Sequence, residues 1–472
     1  MITIEPALRF ALFLVYATTA VLAAGHALLH RPDPRSAWGW IAVCWLAPVL
    51  GPILYLLFGI DRIKIRARRA VGAPARAPGA GTAVMPEIAG ADAASVRQQV
   101  RLAATVTGEA LTAGNRVDVL HNGEQAYPLM LEAIEQARDT VWLATYIFEG
   151  ARIGERFTRA LAAAQARGVR VRVLIDGIGD FYYRPRGSKL LARAGVPVRL
   201  FQVARTFPLP NVNLRNHRKL LIVDGRVAFT GGMNIGDHQM VRWRHDPNID
   251  LHFRVEGPVV PRLAAVFAGD WRYAAGESLP RPETAAADAG TAHCRSIAEG
   301  PNEDLDRLHL VMLGALAAAQ HRVRIMTPYF VPTPELSAAL MAAAMRGVDV
   351  EVMIPEKCNL PWLDWATRHW LPPLLRHGVR ILLRPPPFAH AKLFLVDHYY
   401  ALVGSANLDP RSLRLNFELV MEVYDAQLAE RLAHHFDSVR RNCTEATLRD
   451  FRALGLPARL RNAFFWLFSP YL

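Results

Sequence analysis

Two long stretches near the start of the chain lack the alternation of polar and apolar positions that marks a soluble element. Residues 10–29 carry no full charge, with His26 the one titratable interruption, and residues 37–60 carry none at all. Either run can cross a hydrocarbon core of about 30 Å as a helix rising about 1.5 Å per residue. Seven residues, 30–36, separate them. That spacing predicts a helical hairpin, kinked in its second arm by Pro48, Gly51 and Pro52. A cleaved leader fits less well, because Glu5, a lone Arg9 and a second apolar run directly behind the first are the wrong flanks. Arg62, Lys64, Arg66, Arg68, Arg69 and Arg76 follow, against Asp61 alone. The positive-inside rule therefore places everything after Ile60 in the cytoplasm and sets these cations against anionic headgroups.

Further along, the pattern becomes strand-like runs alternating with helix-like runs, and it does so twice. Residues 141–148 and 323–330 read as strands; each is followed by a helical run that ends in Arg-Gly, at Arg167-Gly168 and Arg346-Gly347, and then by a second strand. The glycine can take the left-handed cap that stops the helix. Alternating strands and helices imply an α/β fold, and the repetition implies two lobes facing one another. The expected organisation is a transmembrane hairpin with a basic juxtamembrane segment (1–70) and a linker rich in Ala, Gly and Pro (71–96). A first lobe (97–276), a linker (277–293) and a second lobe with an amphipathic C-terminal tail (294–472) complete it.

Composition narrows the chemistry. The chain is 52% hydrophobic and 21% charged, which excludes a disordered protein, and its net charge of +13 points to anionic partners. The four cysteines are scattered and form no C-x-x-C pair, which excludes a disulfide scaffold and a thiolate zinc site. There is no G-x-x-x-x-G-K-[ST] phosphate loop, no dinucleotide fingerprint, and no RNP or zinc-finger pattern. No cofactor is expected, and the apolar hairpin with its basic cluster favours a lipid over a nucleic acid.

The repeat also duplicates a set of reactive residues. His217, Lys219, Asp224 and Asn234 in the first half match His390, Lys392, Asp397 and Asn407 in the second, each pair 173 positions apart. Both sets follow H-x-K-x4-D-x6-G-[GS]-x-N. A His and a Lys two apart in extended chain face the same side. The apolar runs 220–223 and 393–396 read as strands buried on both faces, and the turns behind them return each Asn to its His and Lys. Two imidazoles, two ammonium groups and two amides around one cavity form a receptor for a phosphodiester. One His attacks phosphorus and the other protonates the leaving oxygen. Lys219, Lys392, Asn234 and Asn407 stabilise charge on the phosphate oxygens, so no metal is needed for that purpose. With an unperturbed pKa near 6.5, the imidazoles are expected to need little tuning. A carboxylate on the other ring nitrogen would orient each one. Asp250 and Glu418 are placed for this, 33 and 28 residues downstream of the histidine of their own half. Asp224 and Asp397 complete the motifs, but each ends a buried strand at a turn and reads as holding the fold.

These paired motifs resemble the phospholipase D superfamily, and the layout of the whole chain is similar to the bacterial cardiolipin synthases of the two-span type. Residues 47–59, 213–219, 231–237, 327–332, 404–409 and the closing 467–472 carry the narrower likeness. His238-Gln239 and the run 359–362 depart from it. The resemblance implies a duplicated α-β-α sandwich and an active site shared by His217, Lys219, Asn234, His390, Lys392 and Asn407, with Asp250 and Glu418 at the family's downstream acidic positions. It implies phosphatidyl transfer through a phosphohistidine from one phosphatidylglycerol to another, giving cardiolipin and glycerol. Phosphatidylglycerol and other anionic phospholipids would be the partners, and the bacterial inner membrane the location. A lipase or nuclease of the same superfamily would carry identical motifs, and a phosphatidyltransferase with another donor or acceptor remains the nearest competitor.

Overall fold

The computed structural model describes residues 6–31, 34–47, 49–56, 85–86, 93–201, 215–243, 245–280, 287–300 and 306–469. The basic cluster at 62–76, most of the first expected linker and the end of the second apolar run lie outside these. The chain divides into two compact units, a small one built on residues 1–69 and a large one that holds the repeated halves.

In the small unit, α1 (Pro6–His30) is, among the described residues, the one helix long and apolar enough to cross a membrane, over Phe13–His30. The second apolar run is bent. It forms α2 (Pro34–Leu46) and α3 (Leu50–Leu54), between which Val49 has φ +65°. Helical bonding continues through the bend, from Ala47 N–H to the Val43 carbonyl (3.1 Å) and from Gly51 N–H to the Ala47 carbonyl (2.8 Å). A Cβ at position 51 would lie 2.2 Å from the Val43 oxygen, so only glycine fits there. Ala27, Cys44 and Tyr55 pack together, and His26 Nδ1 meets the Tyr55 hydroxyl at 2.8 Å, which closes α1 against the bent arm.

The large unit is organised by a fifteen-stranded sheet. The first half supplies β1 (Thr112–His121), β2 (Thr140–Thr145), β3 (Arg170–Asp176), β4 (Val198–Phe201), β5 (Leu220–Val223), β6 (Val227–Gly231) and β7 (Leu251–Glu256). The second half supplies β8 (Ala292–Glu299), β9 (Arg322–Met326), β10 (Asp349–Pro355), β11 (Arg380–Arg384), β12 (Leu393–Val396), β13 (Tyr400–Gly404), β14 (Glu418–Tyr424) and the short β15 (Thr444–Glu445). The order β1-β7-β6-β5-β2-β3-β4 recurs as β8-β14-β13-β12-β9-β10-β11, with β15 added at the edge. Only β2-β3-β4 and β9-β10-β11 run parallel, joined by the crossover helices the alternating pattern predicts. Gly168 and Gly347 sit at φ +92° and +94°, ending the helices before β3 and β10. The halves join where β1 meets β8 antiparallel, at Thr112↔Cys294 and Asn115↔Ala292.

Each half has its own apolar core. The helix Ala93–Thr107 departs from the expected organisation. The expected start of the first lobe at 97 falls inside it, and its Val96, Val100 and Ala103 are buried in the second core. Gln99 ties it there by donating to the Val311 carbonyl at 3.0 Å.

Candidate active site

The site is assembled at one end of two buried hairpins. His217 and Lys219 lie in extended chain immediately before β5, and His390 and Lys392 immediately before β12. All four residues of each strand are buried, which anchors the polar residues that precede them. The hairpins turn at Asp224 and Asp397, with φ +52° and +53°, a left-handed conformation that aspartate tolerates better than most residues. The return along β6 and β13 brings Asn234 and Asn407 back to the histidine end. The two aspartates stay at the far end. Asp224 accepts from the N–H groups of Arg138, Asp139 and Thr140 at 2.8–3.0 Å, and Asp397 from those of Gln320, His321 and Arg322 at 2.8–3.1 Å. They fasten the entry to β2 and β9, at the turn end of each hairpin.

The acids are crossed between the halves. His217 N–H donates to the Phe417 carbonyl (2.9 Å), and His390 N–H to the Ile249 carbonyl (2.7 Å), so each histidine lies beside the other half's acid. Glu418 holds His217 Nδ1 with both oxygens at 3.0 Å, and Asp250 Oδ2 holds His390 Nδ1 at 2.7 Å. This corrects the sequence expectation, which set each acid by the histidine of its own half. The acids are nevertheless equivalent. Gly231 pairs with His252 and Gly404 with Val420, which places Asp250 and Glu418 at the same point of β7 and β14. Their unequal offsets reflect a loop five residues longer in the first half. The variable [GS] position of the motif follows the acid. Ser405 Oγ donates to Glu418, whereas a Cβ at Gly232 would meet Asp250 Oδ1 at 2.2 Å.

Both lysines are buried, and each ammonium donates to the carbonyl of its own histidine, at 2.7 Å for Lys219 and 2.6 Å for Lys392. Lys392 Nζ also stands 3.1 Å from both ring nitrogens of His390. Burial, and then the Lys392 charge, pull the His390 pKa down to about 3 against the support of Asp250. Burial also lowers His217, which Glu418 partly restores. Burial brings Lys392 down to about 8 and Lys219 well below the ordinary lysine value. In the free protein the imidazoles are therefore neutral, and this is tuning the sequence did not reveal. The two sets sense one another, since Lys392 lowers both His217 and Lys219. Asn234 Oδ1 accepts from Ile147 N–H at 3.2 Å, leaving its NH2 end for an anion. Asn407 donates to Ser412 Oγ at 3.2 Å.

Several residues with a hold on the site escaped the sequence reading. Arg218, between the His and Lys of the first motif, is buried; it donates to the Glu418 carbonyl (3.0 Å), the Glu299 carbonyl (3.0 Å) and Asp270 (2.5 Å). It binds one half to the other where the second motif has Ala391. Tyr146 packs on His217 with ring centroids 5.2 Å apart, and its hydroxyl meets that of Tyr182 at 3.0 Å. Of the other histidines, His238 is buried with Nδ1 3.1 Å from Glu149. Among the described residues no group of three or more His, Cys, Asp and Glu is placed to hold a metal.

Residues 130–271 and 312–440, one stretch in each half, match the family described as "Cardiolipin synthase, PLD-like domain". The chain belongs to this family. Residues 19–59 match a second family, described as "Phospholipase_D-nuclease N-terminal". The chain is 32% identical to the cardiolipin synthase of Oceanobacillus iheyensis, over 97% of this chain and 98% of that protein. It is 33% identical to cardiolipin synthase A of Pseudomonas putida, over 96% of each. Its fold is similar to that of the phosphatidylserine synthase of Haemophilus influenzae, with a TM-score of 0.62 at 14% identity over 79% of this chain and all of that one. Membership of the cardiolipin synthase family accounts for the mixed α/β sheet and its duplication.

Proposed function

We propose that the chain is a membrane-bound phosphatidyltransferase that joins two phosphatidylglycerol molecules into cardiolipin and releases glycerol. The observation that carries the reading is the pair of histidines whose Nδ1 atoms are both held by carboxylates, which leaves Nε2 of each as the reacting nitrogen. In the first step Nε2 of His217 attacks phosphorus, the bond to the glycerol oxygen breaks, and His390 gives that oxygen a proton. In the second, His390 takes the proton from a hydroxyl of another phosphatidylglycerol, which attacks phosphorus and breaks the P–N bond. Lys219, Lys392, Asn234 and Asn407 hold the non-bridging oxygens throughout. The bound phosphodiester brings negative charge beside His390, which raises its pKa from the low value of the free protein and lets it act as an acid. One phosphodiester replaces another, so no nucleotide is consumed.

The α1 hairpin serves as a two-span anchor in the bacterial inner membrane, with the lobes on the cytoplasmic side. In this reading residues 1–70 are the anchor, 71–96 and 277–293 are linkers, and the lobes are 97–276 and 294–472, with the helix Ala93–Thr107 serving the second. The test is lipid product analysis of the purified full-length protein in vesicles, first with phosphatidylglycerol alone and then with phosphatidylethanolamine added. Cardiolipin and glycerol in equal amounts from phosphatidylglycerol alone are expected. Phosphatidic acid alone would make the protein a hydrolase, and cardiolipin that appears only after the addition would change the donor.

A further inference from the structure

The crossover between β3 and β4 and that between β10 and β11 are equivalent in the repeat, and each is tied to a tyrosine near the site. Tyr182, in the first crossover, bonds Tyr146 above His217. Tyr329 bonds Asn359, in the second crossover, at 3.0 Å. Tyr329 also faces Phe388 with ring centroids 6.3 Å apart, and Phe388 faces His390 at 6.2 Å.

The chemistry beside these tyrosines differs on the two sides. Just past Tyr182 and Tyr183, the residues Arg184, Arg186, Lys189 and Arg193 line a notch of about 400 Å³. Among the described residues none of these four pairs with a carboxylate, and residues 184–193 contain no acid. Just past Asn359, Trp362 opens the helix Pro361–Arg376, and the C-terminal helix Leu456–Trp466 lies along that helix. Its inner face is fixed by Phe465 on Trp365 (4.8 Å), Trp466 on His369 (4.7 Å) and the buried Asn462. Its outer face is apolar. Leu456, Leu460, Phe464 and Leu467 recur at helical spacing and are 55–65% exposed, with Phe468 packed on Phe464 and 45% exposed; Trp362, on the neighbouring helix, is also 45% exposed. Arg459 and Arg461 are the charged residues from 456 to the end of the chain.

An apolar helical stripe edged by arginines and an unpaired cationic notch match the two layers of an anionic bilayer surface, acyl boundary for the one and headgroups for the other. We propose that this composite rim docks on an anionic bilayer, so that the catalytic mouth opens directly onto the headgroup layer. The inference deepens the lipid-transfer reading and rests on it. The rim does what the catalytic residues cannot: it supplies a lipid hydroxyl in preference to water, by holding the mouth where acceptor is concentrated and bulk water is partly excluded.

The test uses the full-length protein and two variants, Arg184→Gln/Arg186→Gln/Lys189→Gln/Arg193→Gln and Leu460→Ser/Phe464→Ser/Leu467→Ser. Hydrogen exchange in phosphatidylcholine nanodiscs should show protection of 184–193 and 456–469 that grows when phosphatidylglycerol is added. On phosphatidylglycerol vesicles each variant should lose about tenfold or more in rate and make a larger share of phosphatidic acid. On monomeric short-chain phosphatidylglycerol, below its critical micelle concentration, both should match the parent within about twofold. Equal losses on vesicles and monomers would overturn the proposal, as would protection indifferent to phosphatidylglycerol. Protection of the apolar face in detergent, in particles of twice the mass, would assign that face to a second copy of the chain and overturn it too. Absence of cardiolipin from the parent on phosphatidylglycerol vesicles would refute the lipid-transfer reading, whereas the exchange data report on the docking face alone.

Discussion

Asp250→Asn tests the crossed geometry. The carboxylate is fully buried; Oδ2 accepts from the His390 Nδ1–H at 2.7 Å and Oδ1 from Leu251 N–H at 2.8 Å. An asparagine of the same shape keeps the Leu251 bond on its oxygen and turns its NH2 towards Nδ1. That ring nitrogen must then be an acceptor, the proton moves to Nε2, and His390 can no longer act as a base. The charge-assisted bond alone is worth about 1.5–3 kcal/mol, or about 10- to 150-fold in rate. Where an acid-to-amide change also forces the wrong tautomer in a serine protease, the loss reaches about 10⁴. Turnover of phosphatidylglycerol should fall by a factor between these limits, with thermal stability little changed. The informative assay is a single turnover with a phosphatidyl ester of a nitrophenol, whose leaving group departs without an acid. Asp250→Asn should form the adduct on His217 from this ester at close to the parent rate, whereas Glu418→Gln should slow that step as severely as it slows turnover. Adduct mapped to His217, with Asp250→Asn blocking its formation and Glu418→Gln sparing it, would refute the reasoning and return each acid to its own half.

His217→Ala and His390→Ala should each abolish turnover, and the double variant should be little worse than either, as for residues that act as one unit; activity surviving either change would remove the mechanism. The Lys392 ammonium is lost as pH rises through about 8, so kcat/KM, which reports the free enzyme, should fall above that pH. The fall should move to higher pH in Lys392→Arg. Because the folded pKa is below the unfolded one, the residue's cost to folding fades as pH rises from about 8 to its unfolded value, which thermal melts across that range would register. Asp397→Ala frees three backbone donors and strains a left-handed position; it should cost about 2–3 kcal/mol of stability, with kcat per folded molecule unchanged and a smaller loss in Asp397→Asn. Turnover should persist in excess EDTA; activity lost there and restored by one stoichiometric cation would contradict the role given to the lysines and asparagines.

Much of the site was legible because its information is local. The buried tetrads of β5 and β12, the hairpin turns and the paired His, Lys and Asn positions all follow from short-range periodicity and spacing. The place of Asp224 and Asp397 at the hairpin turns was legible for the same reason, since a strand end at a turn identifies itself. What the chain hid is tertiary. Which acid meets which histidine depends on Phe417 and Ile249 lying against the opposite half, and a longer loop concealed the equivalence of Asp250 and Glu418. Arg218 stands at a position the motif leaves variable, so nothing nearby hinted at its bonds across the junction. An amphipathic helix declares that one face is buried but not against what, hence a boundary drawn at 97, inside a helix whose buried face lies in the second core. The depressed His390 and Lys392 values reflect desolvation, which spacing does not encode.

The exchange of acids between the halves bears on how such a protein can be divided or inherited. A polypeptide ending after β7 holds His217 without Glu418, and the remainder holds His390 without Asp250. Neither piece is a smaller enzyme with one weaker centre; each is an incomplete circuit that closes only in the other's company. Two severed pieces should therefore regain chemistry by reassociation rather than by separate repair, and an inheritable change in one half is expressed at the reactive nitrogen of the other. Repetition here provides no spare copy, because the duplicate is already in use.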